Sequence, residues 1–271
     1  MADPRTRGAI AADYQRARET GDAAAMHRFQ NEEACLVLLT VLERLAADRA
    51  SFVHDVAFKG GILMAGELRS PRASRDIDAT SGVERRVDRI VAELRRAGRV
   101  FGLRQDGEAE RTPGGTIVRL RFESLTDAGS AKIELSVREN LVFAVREAFF
   151  DVSDLGIAPF FVPALAKAEL VAEKIRALVQ RAQPRDLFDL RLYLVDSGWH
   201  LDPAELRKAV DAKLALTRHK RWRGGLWRTH LAEIEAIYAE TMADWVDPVH
   251  LPPFNQLVDE VARGLKQLRL D

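Results

Sequence analysis

The stretch FKGGILMAGELRSPRASRDIDAT, residues 58–80, decides the fold. It opens on the last two residues of a short apolar run, Phe52 to Lys59, that reads as a strand and is broken by Gly60-Gly61. Ile62 to Leu68 resumes a helical rhythm, residues 69–74 form a turn, and Arg75 to Thr80 alternates polar and apolar with period two. That alternation is the pattern of a half-buried strand, so Asp76, Asp78 and Thr80 leave one face while Ile77 and Ala79 leave the other. Downstream, Lys132 to Val137 repeats it: Lys132, Glu134 and Ser136 share a face opposite Ile133, Leu135 and Val137. If the two strands are neighbours, Asp76, Asp78 and Glu134 form a carboxylate cluster on one sheet surface. Like charges that close repel, and a hard divalent cation with oxygen ligands relieves them. Magnesium held by carboxylates together with substrate phosphates is the usual arrangement in phosphoryl and nucleotidyl transfer.

An alternating acid pair also decorates the solvent side of ordinary sheets, so the surroundings carry the argument. At Lys59-Gly60-Gly61 a strand meets a helix start, where free N–H groups and the helix dipole favour phosphate and the absent side chains permit close approach. Ser74, two residues before Asp76, offers a hydroxyl to a phosphate oxygen or caps the turn.

Working outward, residues 9–20 and 23–48 read as helices, the second capped by Asp22 with Cys35, Leu36, Leu38, Leu39, Leu42 and Leu45 as its apolar stripe. Residues 83–98 suit a charged amphipathic helix, and 99–105, 116–123 and 131–137 suit strands, with a hairpin-type reversal near Thr112. Residues 141–150 fit a strand or a short helix. Asp151 to Pro163, with Gly156, Pro159 and Pro163, is the expected domain boundary, and helices are expected over 164–182, 185–197, 202–216, 229–243 and 254–269. The expected architecture is α+β: N-terminal helices (1–49) packing on the core, an α/β core with a small mixed sheet (50–163), and a helical domain (164–271) completing the active-site cleft.

The run at 58–80, together with ELVAEKIRALVQRAQPRDLFDL at 169–190 and AKIELS at 131–136, resembles the AbiEii/AbiGii-type toxin family. Its members are nucleotidyltransferase-like proteins of the polymerase-β superfamily, the toxin half of bacterial toxin–antitoxin and phage-abortive systems. The resemblance spans about residues 52–195 and implies a polymerase-β-like nucleotidyltransferase core. It also implies a nucleoside triphosphate donor, an RNA acceptor with the 3′ end of tRNA foremost, and a cognate antitoxin encoded in the same operon. The wider superfamily has Gly-Ser where this chain has Gly60-Gly61, which leaves Ser74 as the phosphate-binding hydroxyl. The third acid is Glu134 rather than Asp, so the metal is assigned to Asp76 and Asp78. Acceptors of another kind, a small-molecule or protein hydroxyl, and a non-catalytic nucleotide- or RNA-binding module stay open beside this reading.

Along 164–182, Leu165, Ala168, Val171, Ala172, Ile175, Leu178, Val179 and Ala182 form one apolar arc. Lys167, Lys174 and Arg181, spaced by seven, line its edge, and Glu169, Glu173 and Gln180 lie away from it. Such cations either snorkel to solvent or aim into a cleft. The resemblance places the family's lysine at Lys174, which with Arg181 would neutralise a triphosphate. It also marks Asp186 and Asp189 as active-site residues, orienting Lys174 or acting as a base. First-turn acids equally serve as helix caps.

Residues 217–228, TRHKRWRGGLWR, hold Arg218, Lys220, Arg221, Arg223 and Arg228 without an acid, interleaved with Trp222 and Trp227. Guanidinium groups and indoles suit phosphates and unstacked bases, and Arg218, Lys220, Arg221, Trp222 and Arg223 are the candidate RNA contacts. A solvated loop with tryptophans folded onto the core explains the segment equally well.

The 271 residues carry 41 Lys+Arg against 41 Asp+Glu, which excludes a generic nucleic-acid coat while allowing a local basic groove. One cysteine, Cys35, excludes an internal disulfide and cysteine-built zinc sites, and the six histidines show no metal-ligand spacing. No stretch reaches the ~18 apolar residues of a membrane span, and the N-terminus MADPRTRGAIAADYQRARE has no long apolar region. A soluble protein of a reducing cytoplasm, with no membrane partner, is the expectation.

Overall fold

A computed structural model describes residues 5–81, 87–112, 114–137, 141–215 and 217–271. These fall into two compact units. One comprises the residues up to Leu141 with Val145–Ala164 and Asp244–Asp247; the other comprises Val142–Ala144, Leu165–Ala243 and Pro248–Asp271.

The first unit is α+β. Helix α1 (Arg7–Thr20) starts where the Thr6 hydroxyl accepts from the Ala9 N–H and stops at Gly21, in the left-handed region. Helix α2 (Ala23–Ala47) is capped by the Asp22 carboxylate and buries Leu36, Leu38, Leu39, Leu42 and Leu45. Strand β1 (Ala57–Lys59) leads directly into α3 (Gly60–Glu67), followed by β2 (Asp76–Thr80) and α4 (Val87–Ala97). Then come β3 (Arg104–Gln105), β4 (Glu110–Thr112), β5 (Gly115–Arg121), β6 (Ser130–Ser136), β7 (Arg146–Phe150) and β8 (Phe160–Ala164). Among the described residues these strands form one mixed sheet in the order β3-β5-β6-β2-β1-β8-β7, with β4 paired to β5.

Two expected strands change here. Phe52–Asp55 is a 3₁₀ turn, so only the end of the 52–59 run is strand. The expected strand over 99–105 is mostly a second 3₁₀ turn, Arg99–Phe101, because Gly98 and Gly102 flank the apolar residues and Gly102 takes a φ of 60°. The proline- and glycine-bearing stretch 151–163 ends in β8, which pairs antiparallel with β7 and parallel with β1 through Phe58 and Ala164. Residues 141–150 resolve as strand over Arg146–Phe150, and the expected helix over 83–98 is described only from Val87.

The second unit is helical: α5 (Lys167–Gln180), α6 (Pro184–Arg191), α7 (Pro203–Leu214), α8 (Leu231–Ala243) and α9 (Phe254–Gln267). Helix α6 continues as a π turn over Leu192–Asp196. The apolar arc of α5 is buried as its period requires, with Val171, Ala172, Ile175 and Leu178 inaccessible.

Candidate active site

The sheet places the acids of the first unit. β2 pairs in parallel with β6 so that Asp78 stands opposite Glu134 and Asp76 opposite Lys132. β1 pairs antiparallel with β2, which sets Lys59 opposite Asp78. Side chains directly opposite each other share a face, so Asp76, Asp78, Lys132 and Glu134 form one polar patch. The Lys132 ammonium lies 3.6 Å from Asp76 Oδ2 and 3.4 Å from Glu134 Oε2. Burial works against its charge, but the fields of Asp76, Glu134 and Asp78 outweigh that and raise its pKa. Lys132 is the member of this patch given no role in the sequence reading, although the alternation placed it on the right face.

Asp78 is in a different position. Burial first, and then the charge of Asp76, push its pKa above the usual carboxylate value, with Lys59 opposing. Its negative charge is thus only partly compensated. The turn beside it has the form a phosphate needs: Gly60 has a φ of 74°, and no side chain caps the first turn of α3. A β-carbon on Gly61 would meet Ser74 Oγ at 2.6 Å and Arg72 Nη2 at 2.8 Å. Ser74 itself is buried, its hydroxyl donating to the Asp76 carbonyl at 3.1 Å. Its observed role is therefore to fix the approach to β2.

Among the described residues no three His, Cys, Asp or Glu side chains are grouped to hold a metal ion. The donors of the sheet patch fit a smaller demand. Asp76 and Asp78 are two oxygen-bearing groups on one face, one of them short of positive compensation, as magnesium shared with substrate phosphates requires. Lys132 is shared between Asp76 and Glu134, which leaves Asp78 the acid of the patch that Lys132 does not pair with.

The second unit builds its own charged cluster. Lys174 on α5 reaches Asp189 Oδ2 at 2.7 Å and Asp186 Oδ1 at 3.3 Å on α6. Arg181 closes on Asp186 with Nε 2.7 Å from Oδ2 and Nη2 3.1 Å from Oδ1. Both aspartates are fully buried, and Asp186 makes no capping bond at the start of α6. Burial alone would raise the Asp186 pKa, but Lys174 and the Arg181 hydrogen bonds hold it down to about 2. The seven-residue spacing of Lys174 and Arg181 thus places both cations on a common carboxylate.

A second buried cluster was not read from the sequence. Lys213, only 2% exposed, lies 3.3 Å from Glu169 Oε1 and 3.0 Å from Glu173 Oε1. Glu169 also accepts from the Val142 and Phe143 N–H groups. It lies off the apolar arc of α5, and the partners that bury it come from other parts of the chain.

In the 217–228 segment the tryptophans are folded in. Trp222 is buried, its indole N–H donating to the Leu270 carbonyl at 2.6 Å, and Trp227 is fully inaccessible. Trp222 is therefore corrected from a stacking platform to a core residue. Arg218, Lys220, Arg221 and Arg223 remain at the surface.

A family model described as the nucleotidyl transferase AbiEii toxin of type IV toxin–antitoxin systems matches residues 41–263. No curated protein matches the sequence significantly. Among solved structures the chain resembles MenT4, a nucleotidyltransferase toxin from Mycobacterium tuberculosis H37Rv, at 19% identity and a TM-score of 0.64, over 97% of this chain and 89% of that one. It also resembles JHP933 from Helicobacter pylori, at 14% identity and a TM-score of 0.57, over 88% of this chain and 91% of that one. At these identities the two structures establish the shared fold. Among the described residues no helix is long and apolar enough to cross a membrane.

Proposed function

Because the chain belongs to the AbiEii family of nucleotidyltransferase toxins of type IV toxin–antitoxin systems, we propose that it transfers a nucleotide from a nucleoside triphosphate to the 3′ end of an RNA, tRNA foremost, and so blocks translation or growth. The observation that carries this reading is the placement of Asp76 and Asp78 beside the uncapped Gly60-Gly61 turn.

In this reading Asp76 and Asp78 would hold magnesium, which would supply charge neutralisation for the triphosphate and lower the pKa of the acceptor hydroxyl. Gly60 and Gly61 present backbone N–H groups to phosphate oxygens, with Lys59 beside them and Ser74 bracing the turn. Lys174 and Arg181 are assigned to the triphosphate, while Asp186 and Asp189 hold the Lys174 ammonium in place. Glu134, with Lys132, sets the field at the acceptor side of the carboxylates. The acceptor oxygen attacks the α-phosphorus, its proton passes to a carboxylate or to water, and the α–β bridging bond breaks to release pyrophosphate. Arg218, Lys220, Arg221 and Arg223 are surface cations suited to RNA phosphates, which favours RNA over a small-molecule or protein hydroxyl. The family implies a cognate antitoxin, which we place in the same operon and the same cytoplasm.

The test is to incubate the protein with each labelled nucleoside triphosphate, magnesium and total RNA, beside Asp76→Ala. Label on RNA with wild type and none with the variant is expected. No label on RNA with any of the four nucleotides would exclude this acceptor. Magnesium-independent nucleotide binding without turnover, measured by calorimetry, would instead indicate a binding module.

A further inference from the structure

One face of the sheet carries more than the acids. Following the pairings outward from β2, Asp76 stands opposite Lys132, and Lys132 stands opposite Arg119 on β5. One step along, Ser130 stands opposite Arg121, which stands opposite Arg104 on the edge strand β3. Directly opposite residues share a face, so these cations form a track from the carboxylates to the sheet edge. With strands about 4.8 Å apart, the track is about 14 Å wide. Two arginines directly opposite each other, Arg104 and Arg121, are unfavourable without an anion between or beside them.

Arg104 also lines a cavity of about 590 Å³ at the edge, together with Arg95 and Arg96 from α4 and Arg99 from the turn after it. All four arginines are exposed. Arg96 pairs with Asp48 at 2.6 Å. Among the described residues Arg95, Arg99 and Arg104 have no carboxylate partner; Arg104 reaches only the Gly102 carbonyl, at 3.5 Å. In a chain with equal numbers of acidic and basic residues, this concentration of unneutralised guanidinium groups is local. The partners of the track residues, Asp106 for Arg121 and Glu110 for Arg119, are exposed pairs of the kind worth at most about 1 kcal/mol, which a phosphate can displace.

We infer that the Arg95–Arg99–Arg104 cleft and the Arg121–Arg119–Lys132 track bind the sugar-phosphate backbone of the acceptor RNA, upstream of a 3′ end delivered to Asp76 and Asp78. This rests on the RNA-acceptor reading above. It supplies a path for the acceptor on the first unit alone, through phosphates rather than bases, which suits recognition without a fixed sequence.

The test titrates 5′-labelled bulk tRNA against the full-length protein by fluorescence anisotropy at several salt concentrations. Arg95→Gln/Arg99→Gln/Arg104→Gln is compared with the corresponding triple lysine variant, and unchanged Tm values verify folding of these surface variants. The glutamine variant is expected to bind at least tenfold more weakly, with the slope of log affinity against log salt reduced by about two, since each phosphate contact contributes about 0.7–0.9. The lysine variant is expected to keep most of the affinity. If wild type binds and labels tRNA while the glutamine variant matches its affinity and slope, the cleft assignment is wrong and the RNA-acceptor reading stands. If wild type neither binds nor labels tRNA, both fall. Loss of binding to the cognate antitoxin with tRNA binding intact would overturn the assignment in favour of a protein partner.

Discussion

Asp78 lies directly over Gly60: a β-carbon on that glycine would sit 2.2 Å from Asp78 Oδ2. The contact ties the conformation of the strand-to-helix turn to the position of a carboxylate. Gly60→Ala would meet both the steric conflict and a φ of 74°, a conformation that costs a non-glycine residue about 1 kcal/mol. We expect a loss of roughly 1–3 kcal/mol in urea unfolding and nucleotide transfer reduced at least 100-fold. Wild-type transfer by the alanine variant would show that Asp78 need not hold this position.

Asp78→Asn should separate stability from activity. The wild-type pKa is raised in the folded protein by burial and by Asp76, so folding is penalised by ionisation of Asp78. Stability from this group is full at acid pH and declines as pH rises from the usual carboxylate range through the raised value. The neutral variant escapes that decline. Its Tm should exceed wild type at pH 7 and converge with it in acid, while nucleotide transfer is lost; a lower Tm at pH 7 would contradict this account.

Asp186 has the opposite sign. With its pKa held down to about 2, its stabilisation is complete above the usual carboxylate range and is lost as pH falls from about 4 to about 2, an effect of about 2 kcal/mol. Asp186→Asn would take the carboxylate from Arg181 and leave Lys174 with Asp189 alone, and should cost about 2 kcal/mol at pH 7. Urea midpoints measured against pH should show the gap between variant and wild type closing in acid.

Lys213→Ala removes the cation beside buried Glu169, which keeps only the Val142 and Phe143 N–H groups, while Glu173 keeps Arg176; the variant should be destabilised by about 3 kcal/mol. Lys213→Met combined with Glu169→Gln should recover much of the loss. Chemical denaturation of the single and double variants measures the coupling.

Trp222→Phe keeps an aromatic ring but drops the hydrogen bond to the Leu270 carbonyl. A loss of about 1–2 kcal/mol is expected, with RNA labelling retained. Loss of labelling at unchanged Tm would restore a stacking role.

The polar patch of the sheet was legible because strand period is local: alternation over 76–80 and 131–137 assigns faces without knowledge of the partner strand. The proximity of Lys174 to Asp186 and Asp189 was prepared by helical spacing and by the family's motif, though neither predicts that both acids are wholly buried. What stayed hidden depends on pairing between distant segments. Glu169 is buried because Lys213 and the N–H groups of Val142 and Phe143 meet it, and no window around residue 169 contains them. Likewise, the strand at Phe160–Ala164 depends on β1, about a hundred residues earlier, for part of its pairing, while Pro163 within it and Pro159 just before it read locally only as a domain boundary. Trp222 looked like a platform because its neighbours are basic; the carbonyl that accepts its N–H is on Leu270.

The parallel pairing of β8 with β1 has a consequence for synthesis. Until Phe160–Ala164 has been made, β1 has β2 on one side and an open backbone edge on the other. A nascent chain therefore cannot complete the neighbourhood of Lys59 and Gly60 until about a hundred further residues have been made. Aborted translation products ending earlier would be inert as poison, and their bare edge would direct them to proteolysis or aggregation.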